Sequence, residues 1–560
     1  MAISDYQLQN LLIESGLIKE QEIKDIAVLS KNSGIAFSET LIEKNILSDE
    51  ILGQMVARKL GYPFVILSKT AIPDEMFHVT PEKIARKHKI ISFGRDEKGI
   101  KLAMSDPANK TIIEMIAKKT GSAIVPYYAT DKDINNALKM FRKELQLACD
   151  NLLKETISKS NTFIPDEAPI TKIVDLIIDY AYDDKSSDIH IEPEEKNCLI
   201  RFRIDGLLHD ELKLPKILHD RIIARIKVLS RLRTDEHLSA QDGKMRMQRE
   251  YENLDIRVSI IPVADGEKAV LRLLSSKHGQ FSLSNLGIND SDLIKINKAV
   301  SKSYGMILST GPTGSGKTTI IYTILKQINI RERNITTIED PVEYRIMGAN
   351  QIQVNTKTNL TFANGLRSIL RQDPNVIFVG EIRDNETAAI AVNAALTGHL
   401  VLSTLHTNDA STAIPRLIDM KVEPFLVAST VNLIIAQRLV RKICEMCKTA
   451  YTISLSELSQ HIPLELIKKA VGEELEFTFF KGKGCKLCRN TGYQGRIGVF
   501  EVLEVTKEMK KLIATKCDAE TITNTAVKEG MKTMTEDGLN KAVKGITTIE
   551  EVIRVTKVES

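Results

Sequence analysis

Residues 311–318 read Gly-Pro-Thr-Gly-Ser-Gly-Lys-Thr, and no other stretch of the chain constrains its fold so tightly. The octet follows the apolar run Met306-Ile307-Leu308 and precedes a helical pattern from Thr319 to Ile330. Strand, glycine-rich turn and helix, in that order, is the setting of a phosphate-binding loop. Glycines let the backbone bend until successive N–H groups face inward, and the helix adds the positive end of its dipole. In such a loop Gly311, Pro312, Thr313, Gly314, Ser315 and Gly316 wrap the phosphates. Lys317 reaches the terminal ones, Thr318 offers its hydroxyl to Mg²⁺, and Thr319 continues the helix start. A glycine-rich surface turn is the bland alternative, and it leaves the flanking pattern unexplained. The chain is expected to bind a nucleoside triphosphate.

Two further segments supply what phosphoryl transfer needs beside that loop. Ile335-Thr336-Thr337-Ile338-Glu339-Asp340-Pro341-Val342-Glu343 and Val376-Ile377-Phe378-Val379-Gly380-Glu381-Ile382-Arg383-Asp384 are apolar strands that end in carboxylates. One carboxylate can organise Mg²⁺ and its waters while another orients and deprotonates the attacking water. A strand-terminal acid by itself is usually a solvated residue, but two in one phosphate-loop domain point to function. A third strand, His399 to Thr407, is flanked by His399 and His406, and a histidine there could sense the γ-phosphate. The two Asn-Lys dipeptides, Asn297-Lys298-Ala299-Val300 and Asn540-Lys541-Ala542-Val543, lack the aspartate of a guanine clamp, so ATP is the expected nucleotide.

Composition limits the partners. The 560 residues exceed a single core and imply about three or four domains. With 77 basic against 73 acidic side chains the net charge is only +4, which does not advertise nucleic-acid binding. The N-terminal residues show no basic and apolar signal-peptide pattern, and the most apolar stretch, Phe425 to Leu439, is broken by Ser429, Thr430, Asn432, Gln437 and Arg438. A cytoplasmic protein is expected. Cys444-x-x-Cys447 and Cys485-x-x-Cys488 are paired knuckles separated by a stretch read as helical, and four soft thiolates suit a closed, structural tetrahedral Zn²⁺. Cys149, Cys198 and Cys517 are isolated and read as ordinary buried residues.

Upstream, Leu12-Ile13-Glu14-Ser15-Gly16-Leu17-Ile18 recurs as Leu41-Ile42-Glu43-Lys44-Asn45-Ile46-Leu47, a short repeat of paired helices. Residues 90–141 change to an α/β pattern, and 142–166 turn polar, their second half reading as a linker. An amphipathic helix over Ile170–Tyr182 follows, then alternating strands at 187–193 and 199–206, with Asp205-Gly206 as a turn. Arg257 and Arg272 lie in strand-like surroundings.

Taken together, Gly311–Thr318, Thr337–Glu343, Val379–Asp384 and Thr397–Asn408 resemble the ordered motif set of the type II secretion and type IV pilus assembly ATPases. The middle region adds Ser187–Pro193, Arg201–Gly206 and Gln241-Asp242-Gly243 to the likeness, which runs from about residue 167 onward. The resemblance implies an α/β multidomain protein: a RecA-like ATPase domain over 281–560 with a zinc-binding insert at 441–492, and a PAS-like middle α/β domain over 167–280. An N-terminal helical plus α/β docking or regulatory module over 1–145 and a linker over 146–166 precede them. It further implies a homohexamer with ATP between middle and ATPase domains, and Arg257 and Arg272 reaching the γ-phosphate. Glu343 is taken as the water-activating base and Glu381 as the Mg²⁺ site, the reverse assignment staying open. Glu339, Arg383 and His399 join the nucleotide-binding set, and His406 the catalytic one. The tetracysteine insert resembles that of assembly and secretion members rather than retraction motors.

The expected function is a motor that assembles a type IV pilus, with type II protein secretion as the alternative, working at the inner face of the cytoplasmic membrane through a platform protein. Some family members bind cyclic di-GMP through their N-terminal repeats. Here Gln7-Leu8-Gln9, Ala36-Phe37-Ser38 and Lys59 depart from that pattern, so the fold is expected without the ligand. A nucleic-acid translocase, the rival of another class, finds no Trp, 5% aromatic residues and no basic run to support it.

Overall fold

The computed structural model describes residues 3–16, 18–33, 37–43, 46–70, 72–73, 75–138, 145–159, 167–248, 253–275, 282–472 and 474–556. The chain divides into two compact units, one mainly Met1–Met247 with Asp255–Leu273, the other mainly Leu274–Lys483 with Thr491–Ser560.

The first unit opens with four helices, Asp5–Ser15, Glu20–Ser33, Phe37–Glu43 and Asp49–Leu60. The repeat explains their packing: Leu12 and Leu41, its equivalent positions, are both fully buried in one cluster with Leu8, Phe37 and Val56. Ser4 starts the first helix with a capping box, accepting from the N–H of Gln7 while Gln7 accepts from the N–H of Ser4. Strands β1 (Ile90–Asp96), β2 (Gly99–Met104) and β3 (Ile124–Tyr128) then form a small sheet in that order. Of the linker expected over 146–166, residues 146–159 belong to the helix Leu145–Lys159, and 160–166 lie outside the described residues, as does Ala36.

A six-stranded sheet follows, in the order β6-β5-β4-β9-β8-β7. Its strands are β4 (Asp188–Pro193), β5 (Asn197–Ile204), β6 (Leu207–Pro215), β7 (Gln241–Gln248), β8 (Asn253–Val263) and β9 (Gly266–Ser275). Asp205 and Gly206 both take positive φ, 49° and 91°, which is how a two-residue hairpin joins β5 to β6.

The second unit is built on a seven-stranded sheet in the order β12-β11-β13-β14-β10-β15-β18. These are β10 (Gly305–Thr310), β11 (Ile335–Glu339), β12 (Asn350–Gln353), β13 (Val376–Val379), β14 (Leu400–Leu405), β15 (Val431–Ile443) and β18 (Tyr493–Glu504), all parallel except β18. Every residue of β10, β11, β13 and β14 is buried, which is why these segments read as continuous apolar runs rather than alternating ones. Two large apolar clusters, one around Leu366, Val379 and Ala391, the other around Ile307, Ile320 and Phe378, make up its core.

The insert between β15 and β18 differs from the sequence expectation. Its intervening stretch is not simply helical: β16 (Lys448–Ser454) and β17 (Glu476–Gly482) pair antiparallel, with the helices Leu455–Ser459 and Leu464–Val471 between them. The strands were missed because Tyr451, Ile453, Phe477 and Phe479 alternate over only a few residues each.

Candidate active site

Strand order decides which side chains can meet. Because β10, β11, β13 and β14 run parallel, their C-terminal ends share one edge of the sheet, and the connections after them converge there. In open α/β sheets that edge is where ligands bind.

The loop after β10 shows why each glycine is needed. Gly311, Gly314 and Gly316 have φ of 141°, 79° and 92°. At Gly311 a Cβ would also approach the Gln437 carbonyl oxygen to 2.5 Å. Gly316 is the N-cap of the helix Lys317–Ile328, so the helix N-terminus opens directly onto the loop. Thr318 and Thr319 occupy its first turn, half-buried. Lys317 is itself buried, and its Nζ donates to the carbonyls of Gly311 at 2.6 Å and Pro312 at 3.0 Å. Burial lowers its pKa, and the charge of Glu381 opposes that shift, so the carboxylate lies within electrostatic reach of the loop lysine.

Glu381 leaves the end of β13 and is the hub of the edge. Arg383 contacts its Oε1 at 2.7 Å, and Nε2 of His406, just beyond β14, lies 3.2 Å from its Oε2. Glu381, Arg383 and His406, expected together from the sequence, are in contact at the edge onto which the loop carrying Lys317 opens.

Glu339 and His399 are placed differently. Glu339 is 2% exposed, and its carboxylate accepts from Tyr322 Oη, from Thr337 Oγ1 at 2.5 Å and from Gln351 Nε2 at 3.1 Å. Burial raises its pKa. In this arrangement it braces the phosphate-loop helix, through Tyr322, against β11 and β12 rather than facing nucleotide. Sequence reading missed Tyr322 and Gln351 because a tyrosine on an apolar helix face reads as core. Glu343 follows closely, and its charge raises the pKa of both Glu339 and Tyr344.

His399 stands at the wrong end of its strand for a nucleotide contact. Gly305 pairs with Leu400 and Thr310 with Leu405, so His399 precedes β14 at the edge opposite the loop. A strand of that length separates it from His406 by about 20 Å. Its Nδ1 lies 3.0 Å from the Ala394 carbonyl, where it caps the preceding helix. Residues at the two ends of one strand lie at opposite edges, so His399 and His406 cannot meet one nucleotide together.

Arg257 and Arg272 lie on β8 and β9 of the six-stranded sheet. Arg272 Nε donates to Asp188 Oδ1 at 2.9 Å across the β4–β9 register, its side chain more than half exposed.

The sulfur atoms of Cys444, Cys447, Cys485 and Cys488 all lie within 4.8 Å of one another. Each knuckle is a tight turn: the Cys447 N–H donates to the Cys444 carbonyl at 3.2 Å, and the Cys485 N–H reaches Cys488 Sγ at 3.2 Å. Four convergent thiols, two of them fully or nearly buried, fit a soft tetrahedral ion. Among the described residues no helix is long and apolar enough to cross a membrane.

Comparison with known proteins agrees with this geometry. Residues 164–554 match the family model described as type II/IV secretion system protein, and residues 60–146 match the MshEN domain. The type IV pilus assembly ATPase PilB of Myxococcus xanthus is 35% identical over 561 residues, covering 98% of both chains. Type II secretion system protein E of Pseudomonas aeruginosa is 44% identical over 394 residues, covering 70% of this chain and 77% of its own. Among solved structures the Legionella pneumophila ATPase DotB superposes with a TM-score of 0.51 at 23% identity, covering 68% of this chain and 94% of that one, a likeness of fold. The chain therefore belongs to the type II/IV secretion system protein family, and within it is an ATP hydrolase.

Proposed function

We propose that the protein is a hexameric ATPase motor that drives assembly of a type IV pilus. The observation that carries the reading is the contact of Glu381 with Arg383 and His406 on the edge where the phosphate loop, with Lys317 at its helix start, opens. A full-length likeness to a pilus assembly ATPase, N-terminal module included, supports the motor reading, and one of equal extent to a type II secretion protein E keeps secretion as the alternative.

The loop N–H groups and Lys317 bind the β- and γ-phosphates of ATP. On binding, Lys317 exchanges the Gly311 and Pro312 carbonyls for phosphate oxygens, a charge-assisted replacement for two neutral acceptors. Glu343 takes the proton of the attacking water. Thr318 and Glu381 are the hard oxygen donors suited to Mg²⁺, which supplies neutralisation of the phosphate charge. His406 rests on Glu381, so a change in that carboxylate's partners passes to the strand end of β14. Arg257 and Arg272 supply positive charge to the phosphates. Losing such a contact on hydrolysis gives a two-state element. The four cysteines hold Zn²⁺ as a structural clasp. The N-terminal module docks partners, a membrane platform protein positions the motor at the inner membrane face, and no dinucleotide is bound.

The test is an ATPase assay on the purified hexamer with and without DNA, combined with Lys317→Ala in the native host. Turnover indifferent to DNA and loss of surface pili with secretion intact support the reading. DNA-stimulated turnover, or piliated cells, would refute it.

A further inference from the structure

Gln437 lies in the middle of the thirteen-residue β15, directly after the apolar run Leu433-Ile434-Ile435-Ala436. β15 pairs in parallel with β10, Thr310 opposite Ala436, so Gln437 falls beside the first glycine of the phosphate loop as β10 ends. It is 3% exposed.

Both ends of the loop are built against this one residue. A Cβ at Gly311 would come within 2.5 Å of the Gln437 carbonyl oxygen, and a Cβ at Gly316 within 2.5 Å of its side-chain Nε2. The side-chain Nε2 donates to the carbonyl of Ser315, itself buried. That carbonyl can only accept, so the amide's NH₂ end must face it, and the orientation is forced. The other end, Oε1, is buried with no hydrogen-bond partner. A buried orphan acceptor is costly. An apolar residue of the same shape would avoid it, so the amide is held at this position by its donor end.

The consequence follows from peptide geometry. The Ser315–Gly316 bond is trans, so its C=O and N–H point in opposite directions. Fixing the Ser315 carbonyl toward β15 aims the Gly316 N–H away from β15. That N–H is the last amide before Lys317 at the helix start.

We propose that Gln437 is a positioning residue for nucleotide binding: its side-chain amide anchors the Ser315 carbonyl and thereby sets the direction of the Gly316 N–H toward phosphate. It touches no reacting atom and acts through the loop. The inference rests on residues 311–318 being the ATP site.

The experiment uses the full-length protein with Gln437→Met, which keeps length and volume and removes the donor, and Gln437→Glu, which turns an acceptor toward the carbonyl. Dissociation constants for a fluorescent ATP analogue are read by titration with Mg²⁺, alongside KM, kcat and the thermal midpoint as a check on folding. Losing one well-aimed amide contact to a charged phosphate weakens binding about 10- to 100-fold. Gln437→Met therefore raises Kd and KM together by about tenfold while kcat changes less than about threefold. Gln437→Glu loses more at pH 8 and recovers as pH falls, because the protonated carboxyl again offers a donor to Ser315. Wild-type affinity in both variants, or a fall in kcat with Kd unchanged, overturns the proposal. If Gln437→Glu does not fold, Gln437→Met decides. Lys317→Ala separates the two levels: retained affinity in that variant removes the phosphate-loop site itself, whereas its loss beside intact Gln437 variants removes only the role of Gln437.

Discussion

Glu551 offers a quantitative test of how the ATPase unit is held together. It sits on the C-terminal helix Ile549–Thr556, 2% exposed, against the far half of β15. Its carboxylate accepts from the Arg441 N–H at 2.8 Å, the Arg441 guanidinium at 2.7 Å, and Arg554 Nε and Nη2 at 2.9 and 2.7 Å. Burial pushes its pKa up, but the bonds from Arg554 and Arg441 outweigh burial and bring it from 4.5 down to about 2. A drop of about 2.5 in pKa, at about 1.4 kcal/mol each, makes the ionised carboxylate worth about 3 kcal/mol to the fold. Arg554 is raised as well, but its head is about half exposed and solvent screens it, so the buried carboxylate sets the scale.

The sign follows from linkage. A carboxyl whose folded pKa is depressed contributes fully above its unfolded value near 4.5 and loses that contribution as pH falls toward about 2. Glu551→Gln should therefore lower the opening free energy of this helix and the adjoining strand by about 3 kcal/mol at pH 7, which lowers amide protection about 100-fold. Hydrogen exchange read by mass spectrometry on peptides spanning 431–443 and 549–556 reports it, each rate normalised to its intrinsic value at that pH. The gap between wild type and variant should close steadily from pH 5 to pH 2. A variant within about 0.5 kcal/mol of wild type at pH 7, or a gap that does not change with pH, would show that Glu551 does not anchor the helix through its charge.

Other outcomes follow from the same structure. Glu501 of β18, 6% exposed and accepting from the Ala410 N–H at 3.1 Å, has its pKa raised by burial to about 7. Its contribution is complete below 4.5 and is lost as pH rises through 7, so Glu501→Gln should flatten a fall in thermal stability across that window. An unchanged slope in a melting series would contradict this. Tyr322→Phe removes one donor to buried Glu339 and should cost about 1–3 kcal/mol in thermal or denaturant stability, against a surface Tyr→Phe change of almost nothing. Glu343→Gln should bind ATP as wild type does and turn over at least about 100-fold more slowly in a phosphate-release assay. Metal analysis should return one zinc per chain, falling to none with Cys485→Ser, along with loss of order in residues 444–492 by hydrogen exchange.

How much of this was legible beforehand depends on the range of the forces involved. The phosphate loop, its strand and its helix are local, and their spacing was sufficient. So were the apolar strands ending in Glu339 and Glu381, since parallel strands buried on both faces leave a continuous signature. The paired cysteine knuckles were equally plain, and their sulfurs do converge. What escaped were features set by strand order and by long-range packing. His399 and His406 look equivalent in the sequence, but the register of β14 on β10 puts them at opposite edges. Glu339 reads as a ligand in the sequence, but Tyr322 and Gln351, on separate elements, donate to its oxygens. Gln437 was visible only as a flaw in an apolar run. Nothing local reveals that the residue after Ala436 meets the first and last glycines of the loop. The short strands β16 and β17 were hidden by lysines and threonines that dilute the alternation.

The proposed motor binds and cleaves ATP at the loop containing Lys317, with Glu381 at the same sheet edge. Parallel measurement of nucleotide affinity and phosphate release in wild type, Lys317→Ala and Glu381→Gln tests it most directly. Lys317→Ala should lose both binding and turnover, while Glu381→Gln should lose turnover and the dependence of binding on Mg²⁺. Wild-type hydrolysis by Lys317→Ala would contradict it.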